Sequence, residues 1–155
     1  MNVDLVWGTG DGDTALGSFD RALADANLHN YNLVTLSSVL PADAEVVERG
    51  ELEPDRWPVG TPLAVVLARH TGVEPGQRVA AGLGWETAAE GGVFMEQEAT
   101  SREACEHDLL RSLSDARTSR DWDWNGDATT RVVETTVTDV ETVVVAAVYR
   151  PLSFN

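Results

Sequence analysis

The sequence predicts an α+β fold, a layered α/β sandwich with largely antiparallel sheets flanked by helices, and three features point there. Two stretches, near residues 15–27 and 102–117, place apolar side chains at three- and four-residue steps, the period of a helix with one buried face. Most of the remainder alternates at a period of two or forms short apolar runs. Near the end stand two long β-branched segments, Thr129 to Thr138 and Glu141 to Arg150, separated by two residues, which read as an antiparallel hairpin.

In chain order, Val3 to Trp7 is a short apolar strand. Gly8-Thr9-Gly10-Asp11-Gly12-Asp13 reads as a turn-rich loop that opens onto a helix beginning near Thr14. A glycine loop before a helix has the form of a phosphate site, but Asp11 and Asp13 would face that phosphate with like charge, and the third glycine of the dinucleotide fingerprint is out of place. The helix from about Ala15 to Asn27 gathers Leu16, Phe19, Ala22, Leu23 and Ala26 on one face. Asp20 lies about 40° around the axis from Leu16, either as a rim charge or as a carboxylate placed for a purpose. From Asn30 to Ser37 the period becomes two, with Tyr31, Leu33, Thr35 and Ser37 on one face and Asn32, Val34 and Leu36 on the other; Ser38 continues the Asn32 face.

Asp43 to Pro62, acidic and proline-containing, reads as a surface excursion. Pro62 to Arg69 and Gln77 to Glu86 are predicted strands with a turn between them, and Gly92 to Glu98 is another, with Phe94, Glu96 and Glu98 on one side. Thr100-Ser101-Arg102-Glu103 has the capping-box form and starts a helix to about Arg117, with Cys105, Leu109, Leu110 and Leu113 inward. The 155 residues suit one domain, without a linker composition to divide them.

Charge narrows the function. Acidic residues number 26 against 11 basic ones, a net of -15, and every basic residue is arginine. Such a surface repels nucleic acid and anionic lipid, so neither is expected as a partner. At molar salt the Debye length is about 3 Å, so the acidity serves hydration more than steering, and a halophile's cytoplasm is the expected setting. The absence of lysine excludes a P-loop and an internal Schiff base to pyridoxal phosphate. Cys105 and three scattered histidines offer no zinc spacing, so no metal is expected. The lack of a spanning apolar run or a signal-like start predicts a soluble, cytoplasmic protein.

Within "NLVTLSSVLP", Asn32 to Pro41, a strand runs into two adjacent serines. Serines commonly stand where strands give way to turns, and proline stops such a run. Taken with what precedes it, however, Asp13 to Pro41 resembles the N-terminal part of the pyruvoyl-dependent arginine decarboxylases, where a T-x-L-x-x-F-D-x-A-L helix precedes an N-L-x-x-x-S-S-x-x-P strand. Gly92-Val93-Phe94-Met95-Glu96 is similar to that family's second catalytic segment. The order of elements agrees over nearly the whole chain, with the motifs most specific in its first third.

The resemblance implies that the Ser37–Ser38 bond cuts itself, leaving residues 1–37 as a β chain and 38–155 as an α chain, with a pyruvoyl group made from Ser38 as the cofactor. It implies decarboxylation of L-arginine to agmatine and CO₂ through a Schiff base on that group. Catalysis would fall to Ser38, Glu96 and Asn32, and substrate binding to Asp20, Leu16, Ser37 and Val39. Glu96 would protonate carbon, which requires a raised pKa from burial beside Phe94 or from a neighbouring carboxylate such as Glu98. Asp20 would accept the guanidinium fork, and Leu16 would pack against the substrate's methylenes. Without the resemblance, Glu96 and Glu98 read as a solvated strand face. A straight strand would hold Asn32 about 20 Å from Ser38, so the resemblance to a trimeric family suggests a homotrimer of cleaved protomers with interfacial sites. Ala42, His29 and the acidic 8–13 loop depart from the family pattern; His29 leaves another amino acid open as substrate, and an uncut binding or assembly relative is the third possibility.

Overall fold

The computed structural model describes residues 1–153. Its elements are β1 (Asn2–Asp11), α1 (Ala15–Asp25), β2 (Asn32–Thr35), β3 (Val39–Leu40), β4 (Glu45–Gly50), β5 (Pro62–Gly72), β6 (Arg78–Thr87), β7 (Gly92–Ala99), α2 (Arg102–Thr118), β8 (Thr129–Thr136) and β9 (Glu141–Pro151). The first sheet has the order β2-β5-β9-β1-β4 and the second β3-β7-β6-β8. Parallel pairing is confined to β1 with β4 and β2 with β5, so the expected α+β sandwich is the observed one.

The layers follow from period-two alternation in strands buried on both faces. In β9, Val143, Val145 and Ala147 join Val3, Leu5, Val66, Leu83 and Phe94 between the sheets. Its alternate residues, Val144, Ala146 and Val148, pack outward with Ala22, Leu23 and Ala26 of α1. On the other side, Cys105 and Leu109 of α2 cover Ala80 and Val132, while Leu113 and Ala116 cover Val93. The Thr14 hydroxyl caps α1 by accepting from the Gly17 amide at 2.9 Å.

Several expectations are corrected by this packing. Residues 8–11 of the segment 8–13 are strand and only Gly12 and Asp13 are loop, because β1 runs to Asp11 and its glycines make room for α1. A Cβ on Gly8 or Gly10 would stand 2.3 Å from the backbone of Ala22, so neither glycine is there to cradle a phosphate. The 43–62 excursion contains strand β4, beside β1. Thr129 to Thr138 and Glu141 to Arg150 form no hairpin: β8 pairs with β6 in the second sheet, whereas β9 pairs with β1 and β5 in the first. The chain crosses between the sheets at the buried Val137, which donates its amide to Gln77 and accepts from Gly76. The cap of α2 is the Ser101 hydroxyl, which accepts from the Ala104 amide, and so shifts the expected box by one residue. Leu110 is 49% exposed and Leu16 is 79% exposed, so neither belongs to its helix's buried face.

Candidate active site

The strand predicted from Asn30 to Ser37 is shorter, ending at Thr35 beside Val65 of β5. Leu36 still donates its amide to the Val65 carbonyl at 2.8 Å, and the chain then leaves the first sheet. It reaches the second at Ser38, whose carbonyl accepts from the Phe94 amide at 2.9 Å, and continues as β3 with Val39 opposite Val93. The two serines therefore form the crossing between the sheets. Ser38 has φ 75°, the left-handed region that a residue with a Cβ adopts at a cost of about 1–3 kcal/mol and keeps only where surrounding contacts over-determine it.

Those contacts are specific. Val39 accepts a 2.9 Å hydrogen bond from the Tyr149 hydroxyl, which comes from β9 across the sandwich. The Tyr149 ring lies 6.4 Å from that of Phe94, and Phe94 lies 6.0 Å from Trp85, an aromatic chain running under the crossing. Burial pushes the Tyr149 phenol up to about 12, so it remains a donor at any ordinary pH.

Glu96 follows Phe94 by two residues on the same face of β7, about 7 Å along the strand. Much of its side chain is exposed, yet burial of the carboxyl raises its pKa above the ordinary carboxylate value. The cause is burial and not the neighbouring Glu98. A crevice of about 240 Å³ beside it is lined by Leu67, Arg69, Glu96 and Glu98.

Ser37, Ser38, Val39 and Glu96 thus gather at one edge of the second sheet. The other predicted residues stand elsewhere: Leu16 and Asp20 are exposed on α1, outside the first sheet, and Asn32 sits opposite Pro62 at the start of β2. The Asn32 amide group donates to the Gly60 carbonyl at 2.9 Å. It lines a cleft of about 470 Å³ with Phe19, Tyr31, Leu67 and Arg69, and neither serine lines that cleft. The straight-strand premise for separating Asn32 from Ser38 is corrected, because the strand stops at Thr35. Two contributors carried no signal in the sequence: Tyr149, which reads as the end of an apolar strand, and Arg69, which stacks its guanidinium 4.5 Å over Phe19 between the two clefts.

The two sheets of the sandwich are thus joined at a left-handed serine, and a glutamate of raised pKa stands two residues beyond its Phe94 anchor. The family model described as Pyruvoyl-dependent arginine decarboxylase (PvlArgDC) matches residues 2–153. The pyruvoyl-dependent arginine decarboxylase of Halobacterium salinarum is 38% identical over 123 residues, covering 78% of this chain and 76% of its own. Those of Thermococcus sibiricus and Thermococcus kodakarensis are 34% identical over 147 residues and 32% over 143, covering 93% and 90% of this chain and 90% and 88% of their own. The chain belongs to the pyruvoyl-dependent arginine decarboxylase family, and it is an enzyme whose cofactor is a pyruvoyl group. Among the described residues, no helix is long and apolar enough to cross a membrane.

Proposed function

We propose that this chain cuts itself between Ser37 and Ser38 and that residues 1–37 and 38–155 together decarboxylate L-arginine to agmatine. The observation that carries the self-cleavage is the left-handed backbone at Ser38, held on both sides by sheet hydrogen bonds, since strain at this bond is relieved when it breaks. The Ser38 hydroxyl attacks the Ser37 carbonyl carbon; an ester forms as the C–N bond breaks, and the hydroxyl proton passes to nitrogen. Loss of the Ser38 Cα proton then expels the Ser37 carboxylate. Water hydrolyses the remaining enamine after tautomerisation, releasing ammonia and leaving a pyruvoyl group at position 38. Half-burial at the sandwich edge suits such a group, being sheltered yet within reach of a small amine.

When present, the pyruvoyl carbonyl supplies the electron sink for loss of CO₂. The side chains bind, orient and move protons. Asp20 accepts two parallel hydrogen bonds from the substrate guanidinium, with Leu16 against its methylenes. Ser37 and Val39 border the reacting carbon, and Glu96, whose pKa burial raises, returns a proton to it. Asn32 completes the site from a neighbouring protomer of a homotrimer. Support for sharing comes from the cleft at Asn32, which omits the serines, and from Leu16 and Val39, 79% and 50% exposed in the single chain. The acidic surface and the Halobacterium relative support a salt-rich cytoplasm as the setting.

Denaturing electrophoresis of protein purified in high salt tests the cut. Two bands are expected, the larger refractory to N-terminal degradation, and one for the Ser38→Ala variant; a single uncut wild-type band overturns the mechanism. Release of agmatine from arginine, and none of the corresponding amine from aspartate, checks the substrate. Mixing Asn32→Ala with Ser38→Ala subunits checks sharing, because only shared sites regain maturation or turnover.

A further inference from the structure

Strand β3 has two residues, with Val39 opposite Val93 and Leu40 opposite Gly92. A cut immediately before it would leave a chain end fixed by very little backbone pairing. Two consecutive carbonyls nevertheless have donors, and the donors come from different sheets: the Phe94 amide of β7 for Ser38 and the Tyr149 hydroxyl of β9 for Val39, each at 2.9 Å.

We propose that Tyr149 is a positioning residue for the cut: its hydroxyl fixes the left-handed backbone at Ser38 before the bond breaks and holds the new chain end against Phe94 afterwards. This rests on the reading that the chain cuts itself at Ser38. Upstream, the Leu36 amide is tied to Val65 of the first sheet at 2.8 Å, so Ser37 and Ser38 span the gap between one anchor and a pair of anchors. Releasing either end lets residue 38 relax toward negative φ and removes the constraint that presents its hydroxyl to the preceding carbonyl. The upstream anchor no longer acts on residue 38 once the bond is cut, whereas Tyr149 still does. Its ring is seated against the fully buried Phe94, so the hydroxyl cannot swing away without disturbing the core.

Tyr149→Phe keeps the ring and removes the O–H. Uncut chain is expected to persist about two- to tenfold longer on a denaturing gel, the range for losing one hydrogen bond. The matured variant should show a lower kcat with KM for arginine unchanged, and faster hydrogen exchange at the Phe94 amide. Thr71→Val is the control, since it removes a hydroxyl that bonds Thr142 at 2.6 Å, outside the crossing. It should lower the melting temperature and mature at the wild-type rate. Wild-type maturation in Tyr149→Phe, or equal slowing in Thr71→Val, overturns the role of Tyr149 and leaves self-cleavage standing. An uncut wild type overturns both. Should Tyr149→Phe fail to fold, wild-type exchange decides: protection of the Phe94 amide that persists after the cut supports the anchor, and protection lost on maturation overturns it.

Discussion

Replacing Gly10 by alanine tests how closely α1 sits on the first sheet, and through α1 the placement of Asp20. The new Cβ would stand 2.3 Å from the Ala22 nitrogen, 2.6 Å from the Arg21 carbonyl carbon and 2.7 Å from the Arg21 Cβ. Real Cβ contacts do not fall below 3.0 Å, and two of these atoms are helix backbone, so the helix must lift by at least about 0.7 Å. Overpacking of this kind costs about 1–3 kcal/mol, or roughly 3–10 °C of melting temperature for a chain of this size. Asp20 precedes Arg21 and would ride outward with it; displacement of a binding group by about 1 Å costs up to about 10²-fold in kcat/KM. Circular-dichroism melts and steady-state agmatine release measure the two effects. An alanine variant with wild-type melting and wild-type kinetics refutes the close seating, and lower stability with unchanged kinetics refutes the dependence of the site on it.

The Asp20→Asn variant should mature normally and show KM for arginine raised by about 2 kcal/mol, some thirtyfold, if the pair is desolvated in the assembled enzyme; unchanged steady-state kinetics would remove Asp20 from the site. Glu96→Gln should lower kcat by about 10²–10⁴. Because burial raises the Glu96 pKa, wild-type kcat should fall as pH rises through that raised value, and a pH–rate profile of the glutamine variant should lack this limb. Arg117 pairs at 2.9 Å with the buried Glu86, whose pKa is raised chiefly by burial. Arg117→Ala should therefore cost about 1–3 kcal/mol while Glu86 is ionised and less as pH falls and Glu86 takes up a proton; urea melts at mildly acidic and mildly alkaline pH give the comparison.

Periodicity located both helices and most strands because burial on one or both faces imposes a repeat of 3.6 or 2 on the side chains. It failed where tertiary partners set the pattern. Gly8 and Gly10 carry the composition of a turn, but they are strand residues whose missing Cβ atoms admit a helix. Glu45–Gly50 looks solvated because it is a polar edge strand beside β1. The two-residue gap between the predicted segments ending at Thr138 and starting at Glu141 suggested a hairpin, since spacing cannot tell two strands of one sheet from two strands facing each other across a core. At the candidate site, the family motif pointed to the serine pair and Glu96, and the fold gives them a shared neighbour in Phe94, whose amide bonds the Ser38 carbonyl and which precedes Glu96 by two residues. The Tyr149 contact was not, because it joins residues 110 positions apart and leaves no local spacing.

Residues 1–37 include β1, which lies between β9 and β4 in the interior of the first sheet. Severing the chain at the serines would therefore produce a peptide stitched on both flanks into its larger companion, unable to depart without dismantling the whole. Before the break, refolding is unimolecular; afterwards it requires two molecules to meet. A matured enzyme that has been fully denatured should regain the fold of its protomer at a rate that rises with protein concentration, a dependence that folding of the intact precursor's protomer lacks.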